Sequence, residues 1–415
     1  MLTPHGDRAV RLGLRPNLAQ FSLLVAVNAF VGALVGLERS VLPLLATETF
    51  AISTAAAVTS FLVAFGAAKA LANLLAGALS DRYGRRRVLI LGWLVGIPVP
   101  ILIIAAPDWG WVVAANALLG VNQGLAWSMT VNMKIDLVGP RRRGLALGAN
   151  ESAGYLAVGV AAFAAGLIAE RYGLRPAPFY LGIAIVAAGA ALSVLFVRDT
   201  AEHVALEGSE VGAPVPVQAG GASPLRIAFL DGSMRRSDLQ ALSQAGLVNN
   251  ANDALVWALL PIILLGRGMD PAAIAAVAAA YPLAWGVGQI PAGWLSDRVG
   301  RRGPIVAGMS LQAAAVAGFM LDAGVVAAVV AAVALGVGTA LVYPTLLAAV
   351  SDRVGPASRA TAIGVYRFWR DIGTLVGALA VGVLADVVSG DAAIAAMAVA
   401  TFVSGLVVLR RLPAG

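Results

Sequence analysis

The sequence contains no cysteine and only two histidines, His5 and His203, among its 415 residues. Without thiols the chain forms neither disulfides nor thiolate metal sites. Both histidines lie outside the long apolar segments, so any proton carrier inside those segments has to be a carboxylate. The sequence also lacks a glycine-rich phosphate-binding loop, a cluster of metal ligands and a nucleophile–histidine pair. We therefore expect no enzyme, no metal and no cofactor.

Charged residues are scarce as well, because they make up 12% of the chain against 60% hydrophobic residues. The mean hydropathy of +0.86 is not that of a soluble globular protein. A net charge of +7 alone would suit a nucleic-acid-binding protein. The arginines, however, cluster in short loops between apolar runs, which membrane topology explains better, so we expect no nucleic-acid partner. The basic stretch up to Pro16 has no short apolar core with a cleavage site, and we expect no signal peptide.

One short basic stretch occurs twice in the chain. Residues 77–87 read GALSDRYGRRR, and residues 293–303, which lie 216 positions later, read GWLSDRVGRRG. The same offset relates 136–143 (DLVGPRRR) to 352–359 (DRVGPASR). Two separate matches at a single offset indicate that the chain is a duplicated unit.

The residues of this stretch suit a sharp reversal of the chain. Gly84 and Gly300 permit a positive backbone φ. Asp81 and Asp297 lie where a helix ends, among arginines, and can pair with those arginines or with the N-terminus of a neighbouring helix. A simpler interpretation is that the arginines only hold the loop in the cytoplasm. The candidate gating and structural residues are Gly77, Asp81, Arg82, Gly84, Arg85, Arg86, Gly293, Asp297, Arg298, Gly300 and Arg301.

Apolar runs of about 20 residues, the length that crosses a bilayer, occur in two sets of six. The first set lies at roughly 18–45, 55–80, 88–106, 111–137, 144–169 and 177–197, and the second at roughly 239–265, 271–296, 304–321, 325–350, 359–385 and 391–409. The sequence thus predicts an all-α membrane protein with twelve transmembrane helices in two pseudo-symmetric six-helix bundles. The predicted domains are an N-terminal tail (1–17), the N-terminal bundle (18–197), a linker (198–238), the C-terminal bundle (239–410) and a C-terminal end (411–415).

The linker and the loop charges predict the orientation. Residues 208–224 are rich in Gly, Pro and Ser, which predicts flexibility, and 225–236 can form a short amphipathic helix on the membrane surface. With the N-terminus in the cytoplasm, the loop cations lie inside except for Arg171, Arg175 and Arg267. Because positively charged loops stay in the cytoplasm, both termini and the linker are predicted to be cytoplasmic.

The repeated basic turn falls between predicted helices 2 and 3 and again between helices 8 and 9. In that position it resembles the signature of the major facilitator superfamily, with a pattern closest to the twelve-helix proton-coupled drug/metabolite antiporter-like members. The resemblance implies a monomeric transporter that works by alternating access, with helices 1, 4, 7 and 10 around the cavity and the turn as a gate. The sequence departs from the pattern of the antiporter-like members at two points, and both argue against an antiporter. Gly120 stands where such members often carry arginine, and predicted helix 5 lacks their proline.

Charged residues inside the predicted spans are candidate functional positions, because a charge is costly in lipid unless it faces protein or water. They fall on predicted helices 1, 2, 4, 5, 7 and 11, which indicates that helices 3, 6, 9 and 12 face lipid. The candidate proton-coupling residues are Glu38, Asp253 and Asp371. The candidate buried charge network is Arg39, Lys134, Asp136, Glu151, Arg367 and Arg370.

Several of these charges have more than one interpretation. Glu38 and Arg39 are adjacent on one helix and do not face each other. Either they point into different surroundings, with Glu38 in a transport role, or they lie at the outer interface of the membrane and bond to headgroups. Lys134 and Asp136 are interpreted as a structural pair near the cytoplasm. Lys69 and Glu151 can pair across the halves with Asp371 and Arg367, and the 216-residue offset maps Glu151 onto Arg367.

The candidate substrate contacts lie near the middle of their spans, where transporters of this build hold their cargo. They are Asn28, Lys69, Trp127, Asn249, Asn252, Trp257 and Tyr343. Three amides beside Asp253 on one helix exceed what packing needs. Lys69 either contacts an anionic substrate or adjusts the proton affinity of a carboxylate.

The leading functional hypothesis is a secondary active transporter of the bacterial inner membrane that exports a small organic molecule, driven by the proton gradient. The alternative is proton-linked uptake of a small anionic solute, which the interior cations favour. A second alternative is a membrane sensor that transports nothing. The partners expected are the small-molecule substrate, protons and the lipid bilayer.

Overall fold

The fold is that of a computed structural model, which describes residues 10–52, 55–210, 223–269, 271–321 and 323–413. Within these ranges the chain is helical and contains no strand. The first nine residues, the last two and most of the Gly-, Pro- and Ser-rich part of the linker lie outside the described residues. The prediction of an all-α protein is confirmed.

The N-terminal half begins with seven α-helices. They are α1 (Leu18–Leu44), α2 (Ala55–Tyr83), α3 (Arg85–Gly96), α4 (Pro98–Ala105), α5 (Trp109–Val138), α6 (Arg143–Tyr172) and α7 (Ala177–Leu195). Helices α3 and α4 together cover one predicted span, which is interrupted just before Pro98. A proline at that point lacks the backbone donor that would continue the ladder of hydrogen bonds.

Two short helices lie in the predicted linker, and seven more follow. The linker helices are α8 (Ala201–Glu210) and α9 (Pro224–Leu230). The C-terminal half contains α10 (Ser237–Ala254), α11 (Leu260–Gly266), α12 (Pro271–Val299), α13 (Arg302–Gly318), α14 (Gly324–Asp352), α15 (Arg359–Val387) and α16 (Gly390–Arg411). Helices α10 and α11 are joined by one π-helical turn and cover one predicted span. Helix α8 was not expected from the sequence.

Eight of the described helical segments are long and apolar enough to cross a membrane, so the chain is a multi-pass membrane protein. They are Leu18–Glu38, Ser60–Tyr83, Arg85–Ala105, Arg143–Ala169, Ala177–Leu195, Gly324–Asp352, Pro356–Ala385 and Gly390–Arg411. The count of twelve crossings and the cytoplasmic position of the termini stay predictions.

The two halves repeat one packing scheme. In the N-terminal half α1 packs along α6 and α2 along α5. In the C-terminal half the equivalent pairs are α10 with α15 and α12 with α14. The halves meet along α2 and α15 and along α6 and α12, so two equivalent seams join them.

One end of the bundle, which we call the tail side, carries both ends of the described chain. There Asn17 at the start of α1 bonds to Leu137 near the end of α5, and Arg411 at the end of α16 bonds to Gln240 near the start of α10. The α2–α3 turn and α8 lie on this side too. Glycines let the two halves touch closely near it, because a methyl group at Gly77 would overlap the backbone of Ala360.

Candidate functional site

Each repeated basic turn on the tail side reaches across to the other half. Asp81 accepts hydrogen bonds from the backbone N and from Oγ1 of Thr361, at 3.2 and 2.6 Å, at the start of α15. Asp297 accepts bonds from the backbone N atoms of Gly144 and Leu145, both at 2.9 Å, at the start of α6. A carboxylate at a helix N-terminus satisfies free backbone donors and complements the helix dipole.

Both aspartates also pair with the arginine four residues later in their own turn. The N···O distances are 3.1 Å for Arg85–Asp81 and 2.7 Å for Arg301–Asp297. The turn residues Gly84 and Gly300 have φ values of 89° and 83°, the left-handed region that glycine adopts without strain. The structure therefore contains both kinds of contact that the sequence suggested for these aspartates. Other turn residues, Arg82 and Arg298, are exposed.

A second set of ion pairs crosses between the halves at the same depth. Arg143 at the start of α6 pairs with Asp352 at the end of α14, at 2.6 Å. The equivalent Arg359 at the start of α15 pairs with Asp136 near the end of α5, at 3.4 Å. Each aspartate thus receives an arginine from the opposite half, and the two pairs are related by the 216-residue offset.

Glu207 of α8 lies between these two arginines. Its Oε1 accepts a hydrogen bond from Arg359 Nη2 at 2.5 Å and another from Arg143 Nη2. Only 2% of Glu207 is exposed. Sequence reasoning missed this residue because it treated 198–238 as a plain linker. The sequence around Glu207 offers little signal, because α8 also contains Glu202 and Glu210 and all three acids are far in sequence from Arg359.

Helix α8 has two more attachments to the N-terminal half. Thr200, just before α8, donates a hydrogen bond to Asp136 at 2.7 Å. His203 Nε2 lies 3.2 Å from Oδ1 of Asn17. Burial lowers the pKa of His203 below its usual value of 6.5, although Asp136 and Glu202 act in the opposite direction. The neutral imidazole is therefore the form that fits this position.

The predicted pair of Lys134 and Asp136 does not form. Lys134 donates instead to Oδ1 of Asn150, while Asp136 bonds to Arg85, Arg359 and Thr200. Residues two apart on an α-helix point to different faces, which explains the difference.

A buried polar network joins the halves at mid-depth. Arg367 of α15 lies 3.4 Å from Glu151 of α6, and it donates to Oγ of Ser128 at 3.0 Å. Glu151 also accepts from Trp127 Nε1 at 2.9 Å. Of the two pairings considered from the sequence, the one between Glu151 and Arg367 is therefore present. Both side chains are almost completely buried.

Asp371 takes part in the same network without contacting Lys69 at ion-pair distance. It accepts from Nε of Arg370 at 2.9 Å and from Nδ2 of Asn73. Arg370 also bonds to the hydroxyl of Tyr343. The expected Lys69–Asp371 pair is absent among the described ion pairs, because Arg370 occupies the carboxylate.

Lys69 lies instead beside aromatic rings. Its Nζ is 5.6 Å from the ring centroid of Phe65 and 6.0 Å from that of Trp127, distances at which a cation is attracted by a ring face. No carboxylate among the described residues forms an ion pair with it. Lys69 is partly exposed, unlike Arg367 and Arg370.

Asp253 has a neutral partner. The hydroxyl of Tyr281 donates to Asp253 Oδ1 at 2.5 Å, and the same hydroxyl is 3.4 Å from Oγ1 of Thr339. Asp253 is 5% exposed, and no cation among the described residues forms an ion pair with it. A carboxyl group placed in this way can exist with or without a proton.

Three predicted substrate contacts form hydrogen bonds between helices, and their contact with a substrate stays a prediction. Asn249 and Asn252 exchange hydrogen bonds with Gln312 of α13, each at 2.9 Å. Asn28 donates to the backbone oxygen of Asn150 and accepts from Thr130. All three amides are satisfied between helices, a common role of polar groups in membrane bundles.

The remaining predicted site residues are less informative. Glu38 is buried on α1. The side chains of Arg39 and Trp257 lie outside the part of the structure that is described. Arg86 bonds to Asp199 and to the backbone of Val194, within the N-terminal half.

A row of aromatic rings crosses the boundary between the halves at mid-depth. The ring centroids are 5.5 Å apart for Trp127 and Tyr155, 4.3 Å for Tyr155 and Trp285, and 5.4 Å for Trp285 and Tyr343. Trp127 is also one of the rings beside Lys69. The cation, the ring row and the Glu151–Arg367 pair therefore form one mid-depth site built from both halves.

Comparison with sequence families gives one match over nearly the whole chain. The family model described as Major Facilitator Superfamily matches residues 21–238 and 242–415. Among curated proteins, the chain is 30% identical over 237 residues to a probable 4-methylmuconolactone transporter of Cupriavidus pinatubonensis (strain JMP 134 / LMG 1197), covering 56% of this chain and 52% of that protein. It is 33% identical over 127 residues to an uncharacterized MFS-type transporter of Mycobacterium tuberculosis, covering 30% of this chain and 22% of that protein. The chain thus spans about half of one curated relative and about a fifth of the other.

Solved structures share the fold at low sequence identity. The human organic anion transporter MFSD10 superposes with a TM-score of 0.74 at 16% identity, over 95% of this chain and 99% of its own. The fucose:proton symporter FucP of Escherichia coli superposes with a TM-score of 0.76 at 15% identity, over 95% of this chain and 99% of its own.

Proposed function

Because this chain belongs to the major facilitator superfamily, we propose that it is a secondary active transporter that moves a small organic solute by alternating access and couples the movement to protons. One observation carries the proposal. A mid-depth site of buried charges and rings lies between two equivalent halves, and the crossed contacts that join those halves lie on the tail side. In our proposal that side is cytoplasmic, twelve helices cross the bacterial inner membrane, and the monomer is the working unit.

The tail-side contacts describe one state of the cycle. Opening that side requires the halves to separate at both seams. Asp81 and Asp297 then leave the helix starts of the opposite half, and the crossed pairs of Arg143 and Arg359 break. Arg359 and Asp136 are almost completely buried in this state, so water has to enter and hydrate both groups as the halves separate. The rings and the Glu151–Arg367 pair have to part as well.

Asp253 is the proton carrier in this proposal. It lies near the middle of the combined span of α10 and α11 and is bonded to a hydroxyl group rather than to a cation. Asp371, the other mid-depth candidate, is held by Arg370 and Asn73 and serves as a structural partner. Glu38, the third sequence candidate, is buried on α1.

The sequence left two directions of transport open, and we propose uptake because it is the hypothesis with an anionic solute. Export would exchange the solute for an incoming proton. Uptake would carry an anion together with a proton. Lys69, a cation without an ion-pair partner among the described residues, favours uptake of an anion, because it would repel a cationic cargo and attract an anionic one.

Proteoliposomes that contain a pH-sensitive dye test this proposal. Vesicles are loaded in turn with benzoate, benzylamine or glucose and diluted into solute-free buffer. If solute and proton leave together, the lumen becomes more alkaline; if they exchange, it becomes more acidic. Benzoic acid and benzylamine also cross the bilayer passively, so rates are compared with protein-free vesicles. We expect faster alkalinisation with wild-type protein and only the passive rate with Asp253→Asn, with solute efflux measured in parallel.

Asp391→Asn is the matched control, since Asp391 forms an exposed ion pair with Arg267 and its loss should leave the proton signal unchanged. If the lumen became more acidic as the solute left, the proposal of uptake would be wrong and export would take its place. If no solute of the three chemical types moved, the sensor hypothesis would replace transport altogether.

A further inference from the structure

Two buried polar side chains of α12 have no hydrogen-bond partner among the described residues. They are Trp285, at Nε1, and Gln289, at both atoms of its amide. Trp285 is 2% exposed and Gln289 is 0% exposed. Buried donors are nearly always satisfied in folded proteins, so such groups need an explanation. Because they are four residues apart, they lie on one face of α12.

That face is turned towards the N-terminal half at the level of the ring row. The ring of Trp285 is 4.3 Å from Tyr155 of α6, and the backbone of Gln289 touches Gly148 of the same helix. Both donors therefore lie at the boundary between the halves. This is where a bound solute would meet both halves in alternating access.

The opposite end of the ring row carries Lys69. Trp127 lies under its ammonium group and is 5.5 Å from Tyr155, which in turn contacts Trp285. Lys69 and Trp285 occupy equivalent positions in the two halves, because they are 216 residues apart. Equivalent positions of α2 and α12 thus supply a cation beside the Trp127 end of the ring row and an indole N–H from within the row.

The chemistry of this set selects a class of solute. An ammonium group favours an oxygen that carries negative charge, whereas an indole N–H and an amide N–H₂ donate to charged or neutral oxygens, and the amide oxygen of Gln289 accepts from a hydroxyl. The ring faces favour a flat unsaturated skeleton, which stacks on aromatic side chains. The mid-depth acids do not oppose an anion: Arg367 and Arg370 already pair with Glu151 and Asp371, and Asp253 is uncharged when it carries the proton in the proposed cycle.

Building on the proposed function, we infer that the solute is a small carboxylate with a flat unsaturated or aromatic ring. Lys69 binds the carboxylate, the rings of Trp127, Tyr155 and Trp285 cover the flat skeleton, and the N–H groups of Trp285 and Gln289 bind its remaining oxygens. Trp285 and Gln289 are thereby specificity-determining residues.

Ligand binding to purified protein tests this inference without transport. The probes are benzoate and 4-hydroxybenzoate, the saturated cyclohexanecarboxylate, the neutral benzamide and the cationic benzylamine. A ligand that binds the folded state raises its melting temperature with concentration. We expect the aromatic carboxylates to bind most tightly, cyclohexanecarboxylate about 10-fold more weakly through the loss of stacking, and benzamide and benzylamine not at all.

The variants assign the contacts. Lys69→Gln should weaken benzoate about 10-fold or more, and Lys69→Arg should restore much of the binding because it restores the charge. Trp285→Phe keeps a ring but loses the donor, and Gln289→Leu keeps the approximate size but loses the amide; each should weaken 4-hydroxybenzoate about 3- to 10-fold. The melting temperature without ligand shows whether each variant is folded.

Equal binding of benzoate to wild type and to folded Lys69→Gln would overturn the inference, as would tighter binding of benzylamine than of benzoate, or no stabilisation by either aromatic carboxylate. These outcomes are separate from failure of the proposed function. Asp253-dependent proton movement with benzylamine would retain the transporter and reject the carboxylate. Benzoate binding through Lys69 without any proton movement would retain the carboxylate ligand and reject the proton-coupled transporter.

Discussion

The tail side and the mid-depth site use the same duplication in opposite ways. On the tail side, equivalent positions hold residues that make equivalent contacts. Asp81 caps α15 at Thr361 while Asp297 caps α6 at Leu145, and each of these residues is displaced by the same offset from its counterpart. The two seams between the halves are therefore built from equivalent contacts.

At mid-depth the equivalent positions hold different chemistry. Glu151 corresponds to Arg367 and Lys69 to Trp285. One offset therefore relates an acid to a base in the first pair and a cation to an indole in the second. The first pair makes contact across the boundary between the halves.

The difference separates two tasks. Rocking of two halves needs contacts that form and break in step, which a symmetric interface provides. A solute with one charged end and one flat body needs different partners on its two sides, which only a site that has lost the symmetry can offer. Glu207 is the exception on the tail side, because it comes from the linker and has no counterpart in the repeat.

Breaking the asymmetric pair at mid-depth should have the largest effect on stability. Arg367→Met leaves the carboxylate of Glu151 buried without its guanidinium, and we expect a loss of about 3–5 kcal/mol in the free energy of unfolding. The melting temperature in detergent measures it. The double variant Glu151→Gln/Arg367→Met leaves no unpaired charge and should recover most of the loss. An equal loss in the single and double variants would contradict the pairing.

The symmetric seams should respond equally to the same change. Gly77→Ala and Gly293→Ala each place a methyl group into the backbone of the opposite half, at Ala360 and Gly144. Each should cost about 1–3 kcal/mol in the closed tail-side state, visible as faster amide hydrogen exchange at the starts of α15 and α6. Gly159→Ala faces open space and is the control. A large effect at only one seam would show that the halves are not equivalent there.

Glu207 should affect both halves at once, unlike any residue of a single seam. Glu207→Gln removes the negative charge that Arg143 and Arg359 share, and we expect closure of the tail side to weaken by about 1–3 kcal/mol. Hydrogen exchange at the starts of α6 and α15 should rise together. Glu202→Gln, on the exposed face of α8, should change neither. If hydrogen exchange rose at the start of only one of these helices, Glu207 would stabilise the contacts of one half and not of both.

The smallest effect concerns the docking of α8 as pH falls. Since the pKa of His203 in the docked helix is lower than the usual 6.5, an undocked α8 takes up a proton first. Docking is therefore unaffected above about pH 6.5 and weakens as the pH falls from there towards the lower pKa. Amide exchange in α8, corrected for its intrinsic pH dependence, should be faster at about pH 5.5 than at about pH 7.5. His203→Gln should remove this difference, and its persistence in that variant would assign it to another group.

Much of the fold was predictable from the sequence, since apolar runs and the 216-residue repeat report directly on helices and on duplication. The all-helical membrane class and the superfamily agree with the comparisons. The direction in which each side chain points was harder to predict from the sequence. Asn249 and Asn252 have the composition of a binding site, yet they face α13, because the rotation of a helix is set by its neighbours.

The contacts missed from the sequence have a common cause. The role of Glu207 depends on a short helix folding back between the halves, which a polar linker sequence does not reveal. Trp285 and Gln289 occupy the repeat positions of Lys69 and Asn73, which the sequence shows directly. Only the structure shows that their buried polar atoms lack hydrogen-bond partners among the described residues.

The most direct test of the account measures whether the tail side opens. The natural absence of cysteine allows Arg82→Cys/Arg298→Cys to carry two spin labels at exposed, equivalent positions of the two halves. We predict one short distance with the wild-type interface and a second, longer distance when Asp81→Asn and Asp297→Asn are added. Labels at Arg82→Cys/Arg142→Cys, within one half, should keep a single distance throughout. An unchanged distribution between the halves would contradict the claim that these aspartates hold the tail side closed.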